Sequence, residues 1–414
     1  MQILITTHYF YPENFPVIND LAITLKNQGN DVTIGTGKPN YTGGKIYKNY
    51  KLFSFEKENF DSDIKVFRTP VFPRQNNKLS LFFNYISYII SGSILFPFYF
   101  RNKKFDFIIH YGAGPVSSII PSIILRFQKQ THLVFWVQDL WPDTLKSYFF
   151  TKNIIIQNFI KILVKYIYLY SDTILVQSKS FIEPVSKYAK KDKIFYFPNI
   201  LIDFNKNTIV SKDNKINSEL KKTLENYKCI VFAGNLGEAQ SLETIIKAAI
   251  RIKKYTNCKI VFIGSGIRLN WLKTQINVKK LNNVFIGGAY PSHEMSNIYN
   301  LAIGLLVTLK DKDVFNKTVP SKVQSYLAAG RPILAALSGE GGRIIKESGA
   351  GLVCKSEDYL SLSKNIELLL NMNKKTTKKL GELGRKYYLD NYEMKKKSKE
   401  LISIINHEIE MKNK

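Results

Sequence analysis

Short apolar strands alternate with amphipathic helices in both halves of the chain, and this alternation restricts the possible folds more than any other feature. Ile3 to Thr7 precedes a helix in which Ile18 to Leu25 supplies apolar residues at helical spacing, and Asp31 to Gly35 forms the next strand. This β-loop-α-β unit predicts a parallel sheet with helices on both faces. A second set of such units begins at Cys229 to Gly234. Ligands bind such sheets at the loops after the strands, so those loops hold the candidate site.

The length of the chain predicts two domains, since 414 residues exceed one ordinary core. The polar, Lys- and Asn-rich stretch 203–218 is interpreted as the linker between a domain at 1–202 and a domain at 219–385. Residues 386–414 are Lys-rich and helical, and we expect them to pack back toward the first domain. The predicted fold class is therefore α/β, with two doubly wound, Rossmann-like parallel-sheet domains facing each other across a cleft.

The composition favours an anionic partner, because the formal net charge is +27. An RNP motif, a zinc finger and an Arg cluster directed at bases are all lacking, so we expect no nucleic acid partner. Cys229, Cys258 and Cys354 form no CxxC pair, which argues against disulfides and zinc and for core positions in a reducing compartment. We expect no secretory signal before the first strand.

The stretch from Thr318 to Gly351 is the strongest local signal for a phosphate site. It predicts a helix beginning at Pro320, with Ser321 and Lys322 in its first turn, then a short buried strand, then a second helix beginning near Gly341. Two helix N-termini beside one strand present N–H groups and dipoles that suit a diphosphate, and Lys322 adds a charge. The alternative is an ordinary pair of helices, because every α/β protein has helices after its strands.

Three further loops follow predicted strands of the second half. They contain Gly234-Asn235-Leu236-Gly237, Gly264-Ser265-Gly266 with Arg268 just beyond, and Gly287-Gly288. Glycines allow a ligand to approach the backbone closely. The Gly-Ser-Gly stretch lacks the spacing of a dinucleotide fingerprint, so a nicotinamide or flavin cofactor is not predicted.

In the first half, polar residues at the ends of strands are candidates for a second ligand. Asn14 and Lys38 lie in the first two such loops, and His110 ends a strand before a Gly-rich loop. Asp139 follows the strand Leu133–Val137 and is close to Trp141. Two alternatives stay open: His110 as a hydrogen-bonded strand-end histidine, and Asp139 as a cap of the following turn.

Leu79 to Phe100 is a run of 22 uncharged residues, which is long enough to span a bilayer. We argue against a span, because strands of the same predicted sheet lie on both sides of this segment. Two interpretations remain: a buried helix, or a helix whose aromatic face dips into a membrane surface. Phe82, Phe83, Tyr85, Tyr88 and Phe96, with nearby Lys and Arg residues, suit the second.

Several motifs occur in order and together resemble a known family. They are NDLAITLKNQGNDV, WVQDLWPDTL, FAGNLGEAQSLETIIKA, FIGSG and PSKVQSYLAAGRPIL with GEGGRIIKESGAG. The chain resembles the retaining glycosyltransferases of family 4, and within them the WbuB type, which is described as transferring L-fucosamine in O-antigen and capsule assembly. The resemblance implies the GT-B fold, a UDP-sugar bound by the C-terminal domain and a polyprenyl-diphosphate-linked saccharide bound by the N-terminal domain.

Carrying the family pattern onto this sequence gives specific positions. The Glu-x7-Glu pair of the family falls on Lys317 and Ser325, neither of which is acidic, and Glu340 is the nearest carboxylate that could replace it. The Arg and Lys that hold the diphosphate in the family align with Asn235 and Gln240.

The catalytic group expected near the acceptor also departs from the pattern. The family's His aligns with Gln138, which leaves Asp139 as the nearest titratable group. We therefore predict Asp139, Glu340 and Lys322 as catalytic residues. The predicted donor site comprises Gly234, Asn235, Gly237, Gln240, Gly264, Gly266, Arg268, Gly287, Gly288, Ser321, Lys322, Ser325, Glu340 and Gly341. The predicted acceptor site comprises Asn14, Lys38, His110 and Trp141.

The expected function is a retaining, metal-independent transfer with no cofactor, by a cytoplasmic protein peripheral to the inner face of the membrane. The donor expected from the resemblance carries an N-acetylated 6-deoxyhexosamine such as N-acetyl-L-fucosamine. Two alternatives stay open. One is a UDP-sugar 2-epimerase of the same fold, and the other is a non-catalytic basic membrane-binding protein.

Overall fold

The chain divides into two compact units. The computed structural model describes residues 1–41, 44–51, 54, 56–61, 63–75, 77–144, 153–203 and 216–413. Unit 1 comprises residues 1–201 together with 394–414, and unit 2 comprises residues 202–393. Most of the predicted linker, residues 204–215, lies outside the described part of the chain.

Unit 1 is built on an eight-stranded sheet in the order β3-β4-β2-β1-β5-β6-β7-β8. The strands are β1 Gln2–Thr7, β2 Asp31–Gly37, β3 Glu56–Phe60, β4 Ile64–Thr69, β5 Phe107–Gly112, β6 His132–Val137, β7 Thr173–Val176 and β8 Ile194–Tyr196. Each neighbouring pair is parallel except β3 and β4. The antiparallel edge strand β3 is absent from the sequence prediction, because its residues EKENF lack an apolar run.

Helices lie between these strands. They are α1 Pro16–Asn27, α2 Lys78–Tyr99, α3 Ile120–Lys129, α4 Ile154–Tyr170, α5 Ile182–Ser186 and, from the end of the chain, α15 Met394–Asn413. The last of these belongs to unit 1, where Gln28 Nε2 after α1 donates to Ser398 Oγ at 2.7 Å. The buried faces of the helices and strands form a continuous apolar core that includes Leu4, Ile108, Leu133 and Ile174.

Unit 2 has a six-stranded sheet in the order β11-β10-β9-β12-β13-β14, in which every pair is parallel. Its strands are β9 Lys228–Ala233, β10 Cys258–Ile263, β11 Val284–Gly288, β12 Gly304–Thr308, β13 Ile333–Ala336 and β14 Gly351–Cys354. Its helices are α6 Ser218–Asn226, α7 Leu242–Arg251, α8 Leu269–Val278, α9 Met295–Leu301, α10 Asp313–Lys317, α11 Ser321–Ala329, α12 Gly339–Ser348, α13 Tyr359–Asn371 and α14 Lys374–Asn391.

These two sheets confirm the predicted fold class of two doubly wound α/β domains. The central strands of each sheet are covered on both faces, which is why their residues are apolar almost without interruption. Cys229 and Cys258 are buried, and Cys354 is partly exposed; all three are unpaired thiols.

The stretch 318–351 folds as helix, strand and helix, with small shifts from the prediction. Pro320 immediately precedes α11 instead of occupying its first turn, and Gly330 ends α11 in the left-handed conformation. The second helix, α12, begins at Gly339, two residues earlier than predicted. Ser338 precedes it in extended backbone and exchanges hydrogen bonds with Ser356 at 2.9 and 3.0 Å.

Helix α2 is the one helix in the described residues that is long and apolar enough to cross a membrane, by length and composition alone. One face of it is buried in unit 1 through Asn84, Tyr88, Gly92 and Phe96. Strands β4 and β5, which precede and follow it, belong to the same sheet. The interpretation of α2 as a buried helix holds for this face alone, because large apolar residues from Leu79 to Phe98 are exposed on the outer face. Tyr88 and Phe96, which were expected to suit a membrane surface, are instead buried in the core of unit 1.

Candidate functional site

The loops after β9, β10 and β11 are joined by backbone hydrogen bonds at the carboxyl edge of the unit 2 sheet. Gly234 N–H donates to Ile263 O at 2.8 Å, Leu236 N–H to Ser265 O at 2.8 Å, and Gly264 N–H to Gly288 O at 2.7 Å. The predicted glycine loops therefore form one surface. This surface lies where a doubly wound sheet binds its ligand.

Lys322 reaches this surface from the first turn of α11. Gly234 has φ +120°, and a Cβ there would lie 2.8 Å from Lys322 Cε, so the position requires glycine for both its conformation and its space. Lys322 Nζ donates to Gln240 Oε1 and lies 3.9 Å from the centroid of the Phe232 ring. Thus Lys322 meets Gly234 and Gln240, which lie more than 80 residues earlier in the sequence, at the end of β9.

The ammonium group of Lys322 lies in a poorly solvated place. Burial lowers the pKa of Lys322 to about 7, from an ordinary value of 10.5. A cation in such surroundings is stabilised by an anion more strongly than it would be in water. The site therefore gains its full positive charge when an anion such as a diphosphate binds.

Tyr326 fixes α11 against the sheet and so sets the position of Lys322. Its hydroxyl accepts a hydrogen bond from Ala233 N–H at 2.9 Å and lies 3.3 Å from Leu306 O, so it bridges β9 and β12. Ser321 is exposed at the N-terminus of the helix, and Ser325 Oγ donates to Ser321 O at 3.2 Å. In the same turn, Val323 N–H donates to Pro320 O at 2.8 Å.

Arg268 has a different environment from the one predicted. Its guanidinium donates to Glu238 Oε2 at 2.8 Å and to Glu243 Oε1 at 2.5 Å, and it stacks on Trp271 at 4.1 Å. Lys310 Nζ is 3.3 Å from the same Glu238 carboxylate. Because its charge is balanced by two acids, Arg268 supports the loop and is a weaker candidate for a diphosphate than Lys322.

Glu340 is also engaged within unit 2. Its side chain is buried, and both carboxylate oxygens accept from Arg343, at 2.9 and 3.0 Å, one turn along α12. Gly341 packs on Pro320, where a Cβ would lie 3.0 Å from Pro320 Cδ, so the N-termini of α11 and α12 are adjacent.

The remaining predicted donor residues lie along the same loops. Asn235 is exposed, and a Cβ on Gly237 or Gly266 would come within 2.8 Å of its side chain. Gly287 packs against the side-chain methyl groups of Ile263 and Leu220, which would have to shift to admit a Cβ. Gly288, in contrast, faces open space. These contacts bring Asn235, Gly237 and Gly266 together beside the β9 loop.

In unit 1, Asp139 and Trp141 follow β6 in the predicted loop. Burial raises the pKa of Asp139 to about 6, and Tyr85 and Tyr111 lie near enough to interact with its charge. Trp141 Nε1 is buried and makes no hydrogen bond within the described residues. Asn14 is exposed in the loop after β1.

Lys38 and His110 are held inside unit 1, and their surroundings do not support acceptor contacts. Lys38 is fully buried, with its ammonium donating to Ser54 Oγ at 2.9 Å and pairing with Glu56 at 3.4 Å. His110 is fully buried between Ser118 Oγ at 3.0 Å and Thr6 Oγ1 at 3.1 Å. Burial lowers the pKa of His110 to about 3, so it stays neutral as a hydrogen-bonded strand-end histidine.

Sequence reasoning missed a buried polar cluster at the carboxyl edge of the unit 1 sheet. Glu13 Oε1 accepts from Asn40 N–H and Tyr41 N–H, both at 2.6 Å, while Glu13 Oε2 is buried and makes no hydrogen bond within the described residues. Burial raises the pKa of Glu13 to about 7. This carboxyl group can therefore accept or donate a proton near neutral pH.

His8 and Arg74 complete this cluster. The His8 ring stacks between Tyr9 at 4.2 Å and Tyr88 at 4.4 Å, and both of its nitrogens lack partners among the described residues. Arg74 donates to Tyr9 Oη at 3.1 Å and lies 4.5 Å from the Tyr41 ring. The only sequence signal for the cluster was the polar and aromatic run from His8 to Glu13 at the end of β1.

No group of three or more His, Cys, Asp or Glu residues is arranged for a metal ion in the ranges that the structure describes.

Comparisons with known proteins show what the chain is similar to. Residues 213–387 match the family model described as Glycosyl transferases group 1. The chain is 25% identical over 298 residues to the probable glycosyltransferase WbjE of Pseudomonas aeruginosa, covering 70% of this chain and 72% of that protein.

Solved structures share the whole fold. A sucrose-phosphate synthase from Thermosynechococcus elongatus superimposes with a TM-score of 0.75 at 14% identity, covering 98% of each chain. Anabaena HepE in complex with UDP gives a TM-score of 0.70 at 11% identity, covering 98% of this chain and 100% of that one. The chain therefore has the GT-B fold, and its residues 213–387 are similar to the group 1 glycosyltransferases.

Proposed function

We propose that this protein transfers a sugar from a UDP-sugar to a polyprenyl-diphosphate-linked saccharide at the inner face of the cytoplasmic membrane. The observation that carries the proposal is the meeting of Lys322, Gln240 and Gly234 at the end of β9, inside the segment that matches group 1 glycosyltransferases. The UDP bound by Anabaena HepE supports a uridine nucleotide as the donor class.

Lys322 and the first turn of α11 have a direct role in this proposal. Negative charge grows on the leaving diphosphate as the bond to the sugar breaks. A preorganised ammonium and backbone N–H groups stabilise that charge without reorganising solvent. The reaction is proposed to retain configuration, with the acceptor attacking the same face and the leaving phosphate taking its proton. No metal or other cofactor is assigned to this step.

The acceptor is proposed to bind unit 1 at the cluster of Glu13, His8 and Arg74, together with Asp139 and Trp141. Aromatic rings and unpaired buried polar atoms suit a saccharide, which offers both apolar ring faces and hydroxyl groups. We propose an N-acetylated 6-deoxyhexosamine such as N-acetyl-L-fucosamine as the sugar, on the motif resemblance alone.

A thermal-shift series with UDP, GDP, CMP and dTDP tests the donor class, since a ligand that binds only the folded state stabilises it. We expect stabilisation by UDP, followed by transfer from a UDP-amino sugar to lipid-linked saccharide. A new 2-epimer formed from the UDP-sugar without acceptor would instead indicate an epimerase. Stabilisation by none of the four nucleotides would contradict the proposal.

A further inference from the structure

Three helices of unit 1 that pack on one another expose many large apolar side chains. Helix α2 packs on α3, with Gly92 of α2 meeting Pro121 of α3, and Phe127 of α3 contacts Tyr170 of α4 at 5.3 Å between ring centroids. The exposed members are Leu79, Phe82, Phe83, Ile86, Ile90, Ile94 and Phe98 on α2, Ile124 and Phe127 on α3, and Ile154, Ile155, Ile156, Phe159, Ile162, Tyr166, Leu169 and Tyr170 on α4. We call this set the apolar face. Soluble surfaces rarely expose so many large apolar side chains on neighbouring helices without a partner.

The charges on these helices are all of one sign. Helices α2, α3 and α4 contain no Asp or Glu, and their charged residues are Lys78, Arg126, Lys129, Lys161 and Lys165. Further cations lie at the carboxyl end of α2, where the Arg101 guanidinium is 4.8 Å from the exposed Phe98 ring. A surface cavity of about 670 Å³ beside them is lined by Arg101, Lys103, Lys104, Lys129 and Lys412, with Asp106 as an acidic member.

We infer that the apolar face, with its basic margin, docks unit 1 on an anionic lipid bilayer. Apolar residues flanked by lysine and arginine enter the boundary between headgroups and acyl chains, and the cations bind the anionic headgroups. A second copy of the chain fits less well, because a symmetric interface would bring two faces of the same positive charge together.

This docking deepens the proposed function, on which it rests for its purpose. Helix α2 carries Phe82, Phe83 and Ile86 on the apolar face, while Asn84 and Tyr85 on the same turns point inward. Asn84 Nδ2 donates to Asn40 Oδ1 at 2.9 Å, and Tyr85 lies edge-on to His8 at 5.7 Å. The bilayer would therefore sit one helix away from the proposed acceptor cluster, as a lipid-linked acceptor requires.

Vesicle flotation of the full chain tests the apolar face, with phosphatidylglycerol–phosphatidylcholine vesicles against phosphatidylcholine alone. We expect binding to the anionic vesicles. The double variant Ile90→Gln/Ile94→Gln should reduce it roughly tenfold or more, because both side chains are exposed and only docking would bury them. The matched control is Ile267→Gln/Val278→Gln, which changes two exposed apolar residues of unit 2 that are 82% and 71% exposed.

The basic margin is tested by charge reversal. Lys78→Glu/Lys165→Glu should weaken binding to anionic vesicles by roughly tenfold or more. Lys375→Glu/Lys379→Glu on α14 changes the net charge equally on exposed residues of unit 2 and should have little effect. Equal losses in both pairs would indicate attraction to net charge alone and would overturn the assigned surface.

Other outcomes also decide the inference. Wild-type protein that stays with neither vesicle, or apolar-face variants that bind like wild type, would overturn it. So would a dimer in sedimentation equilibrium that the Ile90→Gln/Ile94→Gln change dissociates. Vesicle binding needs no sugar donor, and UDP binding to each variant is measured separately. Loss of docking with UDP binding intact, or the reverse, therefore shows which proposal has failed.

Discussion

Replacing Lys322 by Met should have two opposite effects, on stability and on UDP affinity. Met keeps the length of the chain over Phe232 and removes the charge. The folded pKa of about 7, against 10.5 in the unfolded chain, corresponds to about 5 kcal/mol in favour of the neutral amine. The unfolded state therefore binds more protons between these values, so stability is reduced below pH 7 and recovers as pH rises toward 10.5.

The gain in stability of the wild type as pH rises can be measured. Integrated from pH 7 to pH 9, a single group with these pKa values stabilises the wild type by about 2 kcal/mol. The Lys322→Met variant lacks this term, so its thermal stability should exceed that of wild type at pH 7, and the difference should shrink by pH 9. Lys346→Met, which removes an exposed lysine from α12 of the same unit, serves as the control and should leave the profile unchanged.

UDP binding should respond in the opposite direction. Losing one charge-assisted contact to a diphosphate costs about 1.5–3 kcal/mol, or roughly 10- to 150-fold in Kd. Because a bound diphosphate favours the protonated amine of Lys322, wild-type protein takes up a proton when UDP binds. Its affinity for UDP should therefore fall by up to about tenfold per pH unit above pH 7. Calorimetry in buffers of different ionisation enthalpy measures this uptake. The reasoning is refuted if Lys322→Met binds UDP within twofold of wild type, or keeps the same pH dependence.

Three further predictions concern other parts of the structure. Glu13→Gln should lower the transfer rate at least about tenfold, since it removes a group that titrates near pH 7, and should leave the Kd for UDP unchanged; a parallel loss of UDP affinity would argue against an acceptor role. Gly234→Ala should lower the free energy of unfolding by about 1–3 kcal/mol and weaken UDP binding, because its Cβ would displace Lys322. A free energy of unfolding equal to that of wild type in calorimetry would contradict this prediction. Asp172→Asn should destabilise unit 1 by about 3 kcal/mol at pH 7, because it leaves Arg126 unpaired. Since Arg126 and Lys412 hold the pKa of Asp172 well below its usual range, that difference should begin to shrink as pH falls below about 4, and it should vanish only below the lowered folded pKa, which acid titrations of both proteins would show.

The fold could be predicted from the sequence because strand and helix periodicity is local information. The apolar runs at β1, β6 and β9 are buried strands, and Gly330 ends α11, as their residue types indicate. Strand β3 was not predicted, because its residues include alternating charges and it forms a strand only through its pairing with β4. The bonding of Lys38 to Glu56 depends on that pairing, so its burial could not be foreseen either.

The site was predictable where it depends on loop position and not where it depends on charge pairing. Lys322 at the start of α11 and Gly234 at the end of β9 follow from their place after strands. The hydrogen bonds from Arg268 to Glu238 and Glu243 join residues up to 30 positions apart, so no local sequence pattern predicts them. Likewise, Glu13 Oε2 and the two ring nitrogens of His8 stand out as site atoms because they are buried without a hydrogen-bond partner among the described residues. That burial cannot be read from the local sequence.

The central claim is tested most directly by a transfer assay with labelled UDP-sugars and an extract containing polyprenyl-diphosphate-linked saccharides. Wild type and Lys346→Met should move label from a UDP-linked sugar into the lipid fraction with retained configuration at the anomeric carbon, while Lys322→Met should be slower by roughly tenfold or more. Label that stays in the aqueous phase with every UDP-sugar, although the folded protein binds UDP and docks on vesicles, would contradict the account.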